Sequence, residues 1–253
     1  MVDLPDMADA TIALVYPDLL GTYGDGGNAR ILAERLRWRG ISTEVVTVTV
    51  GAALPRTADV YVLGGGEDRP QSLAASRLRE DGGLAGAVDG GAAVLAVCAG
   101  LQVLGSRFLT ADGVVQGAGI ADVETTRGLT VRAVGELVVD PAPALGLPRL
   151  SGYENHAGAT ALGPGVTPFG RVVAGTGNGD GFDGFVVGKV LGTYLHGPVL
   201  ARNPELADLV LTWAVGPLAP LGHDDVDAEA RGLRKERLAA VSAERRRWRR
   251  RAS

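Results

Sequence analysis

The first hundred residues alternate between short apolar runs and segments in which apolar residues recur at helical spacing. The strand-like runs are residues 11–16, 43–50, 59–63 and 91–97, and the helical patterns are residues 29–39, 70–80 and 84–88. This alternation predicts parallel strands joined by helices that cover both faces of the sheet. We therefore expect a three-layer α/β fold with a largely parallel sheet, in which ligands bind at the carboxyl ends of the strands.

The second half of the chain changes character. Strand-like segments separated by glycines occupy residues 129–140, 167–174 and 182–195, which predicts a β-rich excursion. Helices are predicted over residues 203–215 and 224–253. We assign one domain to residues 10–216 and a linker with a basic helical tail to residues 217–253.

Charge and cysteine content narrow the class of protein. The formal net charge is −4, but residues 231–251 hold ten Arg or Lys against two Glu, so a basic tail follows an acidic body. An acidic body argues against nucleic-acid binding. A single cysteine excludes an internal disulfide and a cysteine-rich metal site. The longest apolar stretch is too short to span a bilayer, so we expect a cytoplasmic protein without a transmembrane segment or metal.

That single cysteine, Cys98, follows an apolar strand and precedes a helical pattern that contains Gly100. A strand-to-helix turn exposes a side chain at the sheet edge and directs it towards free helix N–H groups, which favour a thiolate. The other interpretation is a buried structural cysteine. We favour a nucleophile.

A thiol nucleophile needs an imidazole base, and two histidines compete for that role. His196 ends an apolar strand-like run, and neighbouring parallel strands would bring it to Cys98. His156 is the competitor, whereas His223 lies in the linker. The glycine run at residues 64–66 also follows a strand, and with the N–H of Ala99 it would form an oxyanion hole around Gly65. The alternative is a plain glycine turn.

Four motifs together resemble class I (triad) glutamine amidotransferases. They are LGGG at residues 63–66 with Gln71 downstream, VCAGLQVLG at 97–105, YENHAG at 153–158 and GTYLHG at 192–197. The YENHAG motif is typical of the cobyric-acid-synthase-like (CobB/CobQ-like) branch. YPDLLGTYGDGGN at residues 16–28 narrows the resemblance to the GatD family, the glutaminase subunits of lipid II isoglutaminyl synthases.

The resemblance implies a flavodoxin-like fold, a nucleophile and a base. Cys98 would be the nucleophile that attacks L-glutamine, and His196 would be its base. Gly65, Ala99 and Gln102 would bind substrate, and Arg132, ahead of the GELV segment at residues 135–138, would hold its α-carboxylate, with Arg127 a weaker candidate.

One departure from the family pattern concerns the acid of the triad. Ordinary triad amidotransferases carry Glu two residues after the histidine, whereas this chain has Pro198. Either another carboxylate of this chain replaces it, or the partner supplies one; the resemblance implies an Asp from a MurT-like Mur-ligase subunit. We then expect low glutaminase activity from the isolated chain.

The resemblance also implies which subunit binds the cofactors, and two alternative functions stay open. ATP and Mg²⁺ would belong to the partner, none to this chain, and lipid II would be the substrate of the complex. Alternatives are a glutaminase for cobyrinate-type amidation and a non-catalytic scaffold. The basic tail at residues 245–251 either contacts anionic lipid at the inner face of the membrane or is a solvated terminus.

Overall fold

The computed structural model describes residues 8–221 and 224–252, except for the side chains of residues 224 and 244–252. Its centre is a six-stranded sheet. In spatial order the strands are β13 (Phe185–Val187), β14 (Val190–Thr193), β4 (Ala93–Val97), β3 (Val60–Leu63), β1 (Ala10–Val15) and β2 (Thr43–Val48). All neighbouring pairs are parallel except β13 with β14.

Helices cover the sheet on both faces. They are α1 (Gly27–Arg37), α2 (Asp68–Asp81), α3 (Gly83–Asp89), α4 (Ala99–Leu104), α5 (Val199–Arg202), α6 (Pro204–Val215) and α7 (Asp224–Ala252), with a 3₁₀ turn at Pro143–Leu145. Helices α1 and α6 pack together, as do α2 and α4. Every residue of β3, β4 and β14 is buried, as expected for parallel strands covered on both sides. The predicted α/β fold is confirmed.

Two smaller sheets form the β-rich part. One contains β10 (Ala159–Leu162), β7 (Val123–Thr126), β5 (Arg107–Thr110) and β6 (Gly113–Gln116); the other contains β12 (Phe182–Asp183), β11 (Gly170–Ala174), β8 (Ala133–Pro141) and β9 (Leu150–His156). The predicted strand over residues 129–140 is wrong in its first part, because residues 127–132 form a loop with Val131 78% exposed. The predicted strand at 182–195 is divided into three.

The end of the chain is a long helix that packs on the domain through charged groups. Arg35 of α1 is buried and binds carboxylates on two other helices, Asp208 of α6 and Asp227 of α7. His223 and the side chains of residues 245–251 lie outside the described residues. Among those that are described, no helix combines the length and the apolar character needed to cross a membrane. The boundary at residue 216 stays a prediction.

The carboxyl ends of four parallel strands converge on one edge of the central sheet. The loop after β1 carries Asp25, the glycines 64–66 follow β3, Cys98 follows β4 and His196 follows β14. This edge is where ligands gather in open α/β sheets.

Candidate active site

Cys98 lies on a strained turn between β4 and α4. Its backbone has φ 53° and ψ −107°, a conformation that non-glycine residues rarely adopt. The turn is held because the Cys98 N–H donates to Thr193 O at 2.9 Å and the Gly100 N–H donates to Gly64 O at 3.0 Å. A Cβ at Gly100 would lie 2.8 Å from Leu63 Cβ, so only glycine fits there. The geometry is that of a nucleophile elbow.

His196 stands beside the thiol and is fixed from both sides. Its backbone pairs with Tyr153 of β9, and its ring packs against the Tyr23 ring at a centroid distance of 4.8 Å. Nδ1 lies 2.9 Å from Oδ2 of Asp25, a carboxylate that is fully buried. Nε2 is buried without a regular hydrogen-bond partner among the described residues, so it is available to the thiol and to a substrate.

The electrostatic environment favours a charged imidazole. Burial opposes the charge on His196, but the hydrogen bond with Asp25 and the nearby Cys98 and Asp25 groups outweigh it and raise the pKa of His196 to about 10. The ring is therefore protonated near pH 7. A protonated imidazole stabilises a neighbouring thiolate, which is the reactive form of cysteine.

Of the two sources left open for the third carboxylate, another residue of this chain or the partner, the structure provides Asp25 of this chain rather than the partner's Asp that the resemblance implied. The imidazole Nδ1 already has an acid from this chain, and the same Asp25 oxygen accepts the Gly65 N–H at 2.9 Å. The carboxylate that ordinary triads carry two residues after the histidine is therefore replaced by one from a residue 171 positions away from the histidine. Asp25 belongs to the YPDLLGTYGDGGN motif, which follows the first strand. Its place after a parallel strand is the sequence signal that could have indicated a site residue.

Gly65 has a different role from the one predicted. Its N–H donates to Oδ2 of Asp25 at 2.9 Å, so this N–H is not free to stabilise an oxyanion. A Cβ at Gly65 would lie 2.6 Å from Cε1 of His196, which explains the need for glycine. Gly66 and Ala99 do line the cavity beside Cys98. As the first residue of α4, Ala99 has an N–H without an intrahelical acceptor.

A cavity of about 80 Å³ opens in front of the thiol. The predicted binding residues Ala99, Gln102 and Arg132 line it together with Cys98, and so does the weaker candidate Arg127. Arg132 is held by Asn155, whose Oδ1 accepts from Nε at 2.6 Å, whereas Arg127 lies 3.4 Å from Asp68. Arg132 thus contacts only neutral groups among the described residues, so its charge is available to an anionic ligand. That it binds substrate stays a prediction.

Gln102 belongs to a buried hydrogen-bond chain. Its Oε1 accepts from Gln71 at 2.7 Å, and its Nε2 donates to the Tyr194 hydroxyl at 3.1 Å. Tyr194 continues the chain to Thr160 at 2.7 Å. Gln71 also lines the cavity. The chain fixes the orientation of both amides before any ligand arrives.

His156 lines the same cavity but is not placed to act as a base. Its Nδ1 lies 3.0 Å from Gly158 O and its Nε2 lies 3.3 Å from Glu154, so both ring nitrogens are engaged. The ring also stacks on Tyr194 with a centroid distance of 3.8 Å. His156 is therefore a structural residue of the cavity wall, and His196 is the histidine that faces the thiol.

Comparison with known proteins agrees with this geometry. Residues 11–204 match the CobB/CobQ-like glutamine amidotransferase domain. The GatD subunit of lipid II isoglutaminyl synthase (glutamine-hydrolyzing) from Staphylococcus aureus strain N315 is 35% identical over 231 residues, covering 88% of this chain and 92% of the relative. Its Streptococcus pneumoniae (strain ATCC BAA-255 / R6) counterpart is 32% identical over 209 residues, 81% of this chain and 80% of the relative.

A solved glutamine amidotransferase shares the fold. It is 23% identical with a TM-score of 0.54, and the match covers 80% of this chain and 98% of that protein. The resemblance predicted from the motifs is confirmed by the matched domain and by both GatD relatives. The chain belongs to the CobB/CobQ-like glutamine amidotransferase family.

Proposed function

We propose that this chain is the glutaminase subunit of a lipid II isoglutaminyl synthase. It would hydrolyse L-glutamine and deliver the ammonia to a MurT-type ATP-dependent ligase. The observation that carries the catalytic part is the Cys98–His196–Asp25 arrangement at the sheet edge, with Nδ1 of the ring 2.9 Å from the acid. The names of the two GatD relatives, which match along most of their length, support the pathway.

The reaction would begin with attack of the Cys98 thiolate on the side-chain amide carbon of glutamine. The N–H groups of Gly66 and Ala99 would stabilise the oxyanion, and Arg132 would hold the α-carboxylate. Collapse of the tetrahedral intermediate breaks the C–N bond, and protonated His196 gives its proton to the departing ammonia. A glutamyl thioester then remains on Cys98.

The second half would regenerate the enzyme. A water molecule gives a proton to neutral His196 while its oxygen adds to the thioester carbonyl. The C–S bond then breaks, glutamate leaves, and the thiolate and imidazolium are restored. Asp25 holds one tautomer of the ring through both halves and stabilises its charged form.

The acceptor chemistry would belong to the partner. ATP and Mg²⁺ bound there would activate the α-carboxylate of D-glutamate in the lipid II stem peptide, and ammonia would convert it to D-isoglutamine. Because lipid II is membrane-linked, we place the complex in the cytoplasm at the inner face of the membrane. Because Asp25 of this chain lies 2.9 Å from Nδ1 of His196, the role that we assign to the partner is acceptor activation.

Isotope transfer tests this function. The chain is co-expressed with a MurT-type ligase and supplied with lipid II, ATP and L-glutamine labelled with ¹⁵N at the side-chain amide. We expect label in the stem-peptide amide, none with Cys98→Ala, and recovery of amidation by that variant when ammonium chloride is added. Labelled product from Cys98→Ala, or none from the wild type, would reject the proposal.

A further inference from the structure

Three loops at the mouth of the cavity meet at one hydroxyl group. The Tyr23 hydroxyl, from the loop after β1, donates to Glu67 Oε1 at 3.0 Å. The same oxygen lies 3.5 Å from Nη2 of Arg132 and 3.4 Å from Nδ2 of Asn155. One tyrosine thus holds a carboxylate and a guanidinium close together, and both charged groups line the cavity that Cys98 lines.

The other charges of the cavity are already compensated. Arg127 pairs with Asp68, and Asp68 also accepts the Ala111 N–H at 2.7 Å. Within residues 8–221 and the described part of α7, neither Glu67 nor Arg132 has an oppositely charged partner within 4 Å, although both line the cavity. The mouth of the cavity therefore presents one carboxylate and one guanidinium whose charges are not paired among the described residues.

The pKa of the Tyr23 hydroxyl depends on both Glu67 and Arg132. Burial raises the pKa of the Tyr23 hydroxyl first, the hydrogen bond and the charge of Glu67 raise it further, and Arg132 lowers it. The hydroxyl stays protonated near pH 7 and donates to the carboxylate. It accepts from Arg132 and Asn155 at the same time, which fixes the order of the charged groups around it.

We propose that Glu67 binds the α-ammonium group of the substrate while Arg132 binds its α-carboxylate. This inference rests on the proposed glutaminase function and names its specificity. The ammonium and carboxylate groups of an α-amino acid are attached to the same carbon atom. This short separation matches a guanidinium and a carboxylate that both contact one hydroxyl group. With the side-chain carbonyl at Gly66 and Ala99, the site has three points of attachment and selects an α-amino acid of one hand.

A substrate cycle tests the role of Glu67. Glutaminase kcat/KM of the complex is measured for L-glutamine and for 4-carbamoylbutanoate, which lacks only the α-amino group. Glu67→Gln is expected to lower kcat/KM for L-glutamine about 10- to 100-fold, the range of a hydrogen bond to a charged group. The same variant should change kcat/KM for 4-carbamoylbutanoate less than about threefold, because this substrate has no ammonium group for Glu67 to bind.

Glu80→Gln is the matched control, since Glu80 lies on α2 with its side chain exposed and outside the cavity. It should leave both substrates unchanged. Equal losses for both substrates with Glu67→Gln would indicate a structural role, and no loss for either would indicate no role. Each of these two outcomes overturns the inference.

A binding measurement separates this inference from the proposed function. Calorimetry with L-glutamine on Cys98→Ala needs no turnover and no ligase. We expect binding that weakens about 10- to 100-fold when Glu67→Gln is added. Equal binding by both proteins, or binding by neither, overturns the inference; a wild-type complex that binds L-glutamine but never hydrolyses it rejects the proposed function alone.

Discussion

At the residue scale, the site joins side chains from distant parts of the chain, since Asp25, Cys98 and His196 lie together at one edge of the central sheet. Cys98 and His196 each end an apolar strand-like run, so strand order alone brings them to one edge. Asp25 lies within a glycine-rich loop of residues 16–26, whose path depends on contacts with distant residues such as Gly65. Local pattern has no access to such contacts. The sequence therefore left the acid open between another carboxylate of this chain and the partner, and only the resemblance implied an Asp from the partner.

Gly65→Ala is predicted to damage catalysis more than folding. The new Cβ would lie 2.6 Å from Cε1 of His196 and 2.9 Å from the Tyr23 ring, so the imidazole must shift. A misplacement on the order of 1 Å costs about 100-fold in rate, and overpacking costs about 1–3 kcal/mol of unfolding free energy. Glutaminase kcat and urea denaturation of the same samples measure the two effects.

Gly86→Ala is the control for that substitution. No atom lies within 4 Å of the added Cβ, and the residue is inside α3. It should keep full activity and raise the unfolding free energy by about 0.5–1 kcal/mol, the usual gain of Ala over Gly in a helix. Full activity in Gly65→Ala would mean that the ring is not confined as described.

Asp183 should make stability depend on pH. It is completely buried, its carboxylate accepts from the Thr193 hydroxyl at 2.5 Å and the Tyr194 N–H at 3.1 Å, and Thr193 O in turn holds the Cys98 N–H. Burial raises the pKa of Asp183 from 3.8 to about 6, against the lowering effect of these hydrogen bonds.

Because the folded carboxyl holds its proton more tightly than the unfolded one, its contribution is present below pH 3.8 and lost as the pH rises through about 6. The loss is about 3 kcal/mol of unfolding free energy. Urea denaturation from pH 4 to 7 should show this slope in the wild type and its absence in Asp183→Asn. Parallel curves for the two proteins would disprove it.

At the scale of elements, helices were easier to predict than strands. The pattern over residues 70–80 predicted α2, found at Asp68–Asp81, because apolar spacing within one helix is local information. Strands β5, β6, β7, β9 and β10 were not predicted. Four of them have only four residues, and they are strands because of their pairing, as when β10 pairs with β7.

Docking of α7 should depend on Arg35. Its guanidinium binds Asp208 at 2.7 Å and Asp227 at 2.6 Å with only 3% of its side chain exposed. Arg35→Ala would remove the cation that the two carboxylates share, but Asp208 keeps Arg39 at 3.0 Å and Asp227 keeps Arg231 at 3.4 Å. The expected cost is therefore at the lower end, about 3 kcal/mol, of that for breaking a buried ion pair. We expect a loss of that size in the unfolding free energy from urea denaturation.

Arg37→Ala is the comparison for Arg35→Ala. Arg37 is on the same helix and pairs with Glu34 at 2.6 Å, but both side chains are about half exposed. An exposed pair contributes less than about 1 kcal/mol. Equal effects of the two substitutions would show that the buried cluster does not hold α7.

At the scale of the whole molecule, four loops from one sheet edge build a site that no single motif contains. The motifs predicted the family, and the alternation of strand-like and helical segments predicted the parallel sheet. The match over residues 11–204 confirms the family. What they could not give is the arrangement in space, which joins Asp25 to a histidine 171 residues away and Tyr23 to Arg132. Asp25, His196 and Cys98 thus place all three members of a triad arrangement within one chain.

Covalent labelling of the isolated chain tests that claim most directly. The chain is treated with 6-diazo-5-oxo-L-norleucine, a glutamine-like electrophile, and adduct formation on Cys98 is followed by intact mass. We predict one adduct in the wild type, a rate at least about 100-fold lower with Asp25→Asn, up to the 10⁴-fold cost of losing a triad acid, and no change with Asp18→Asn in the same loop. An Asp25→Asn chain that reacts as fast as the wild type would contradict the claim.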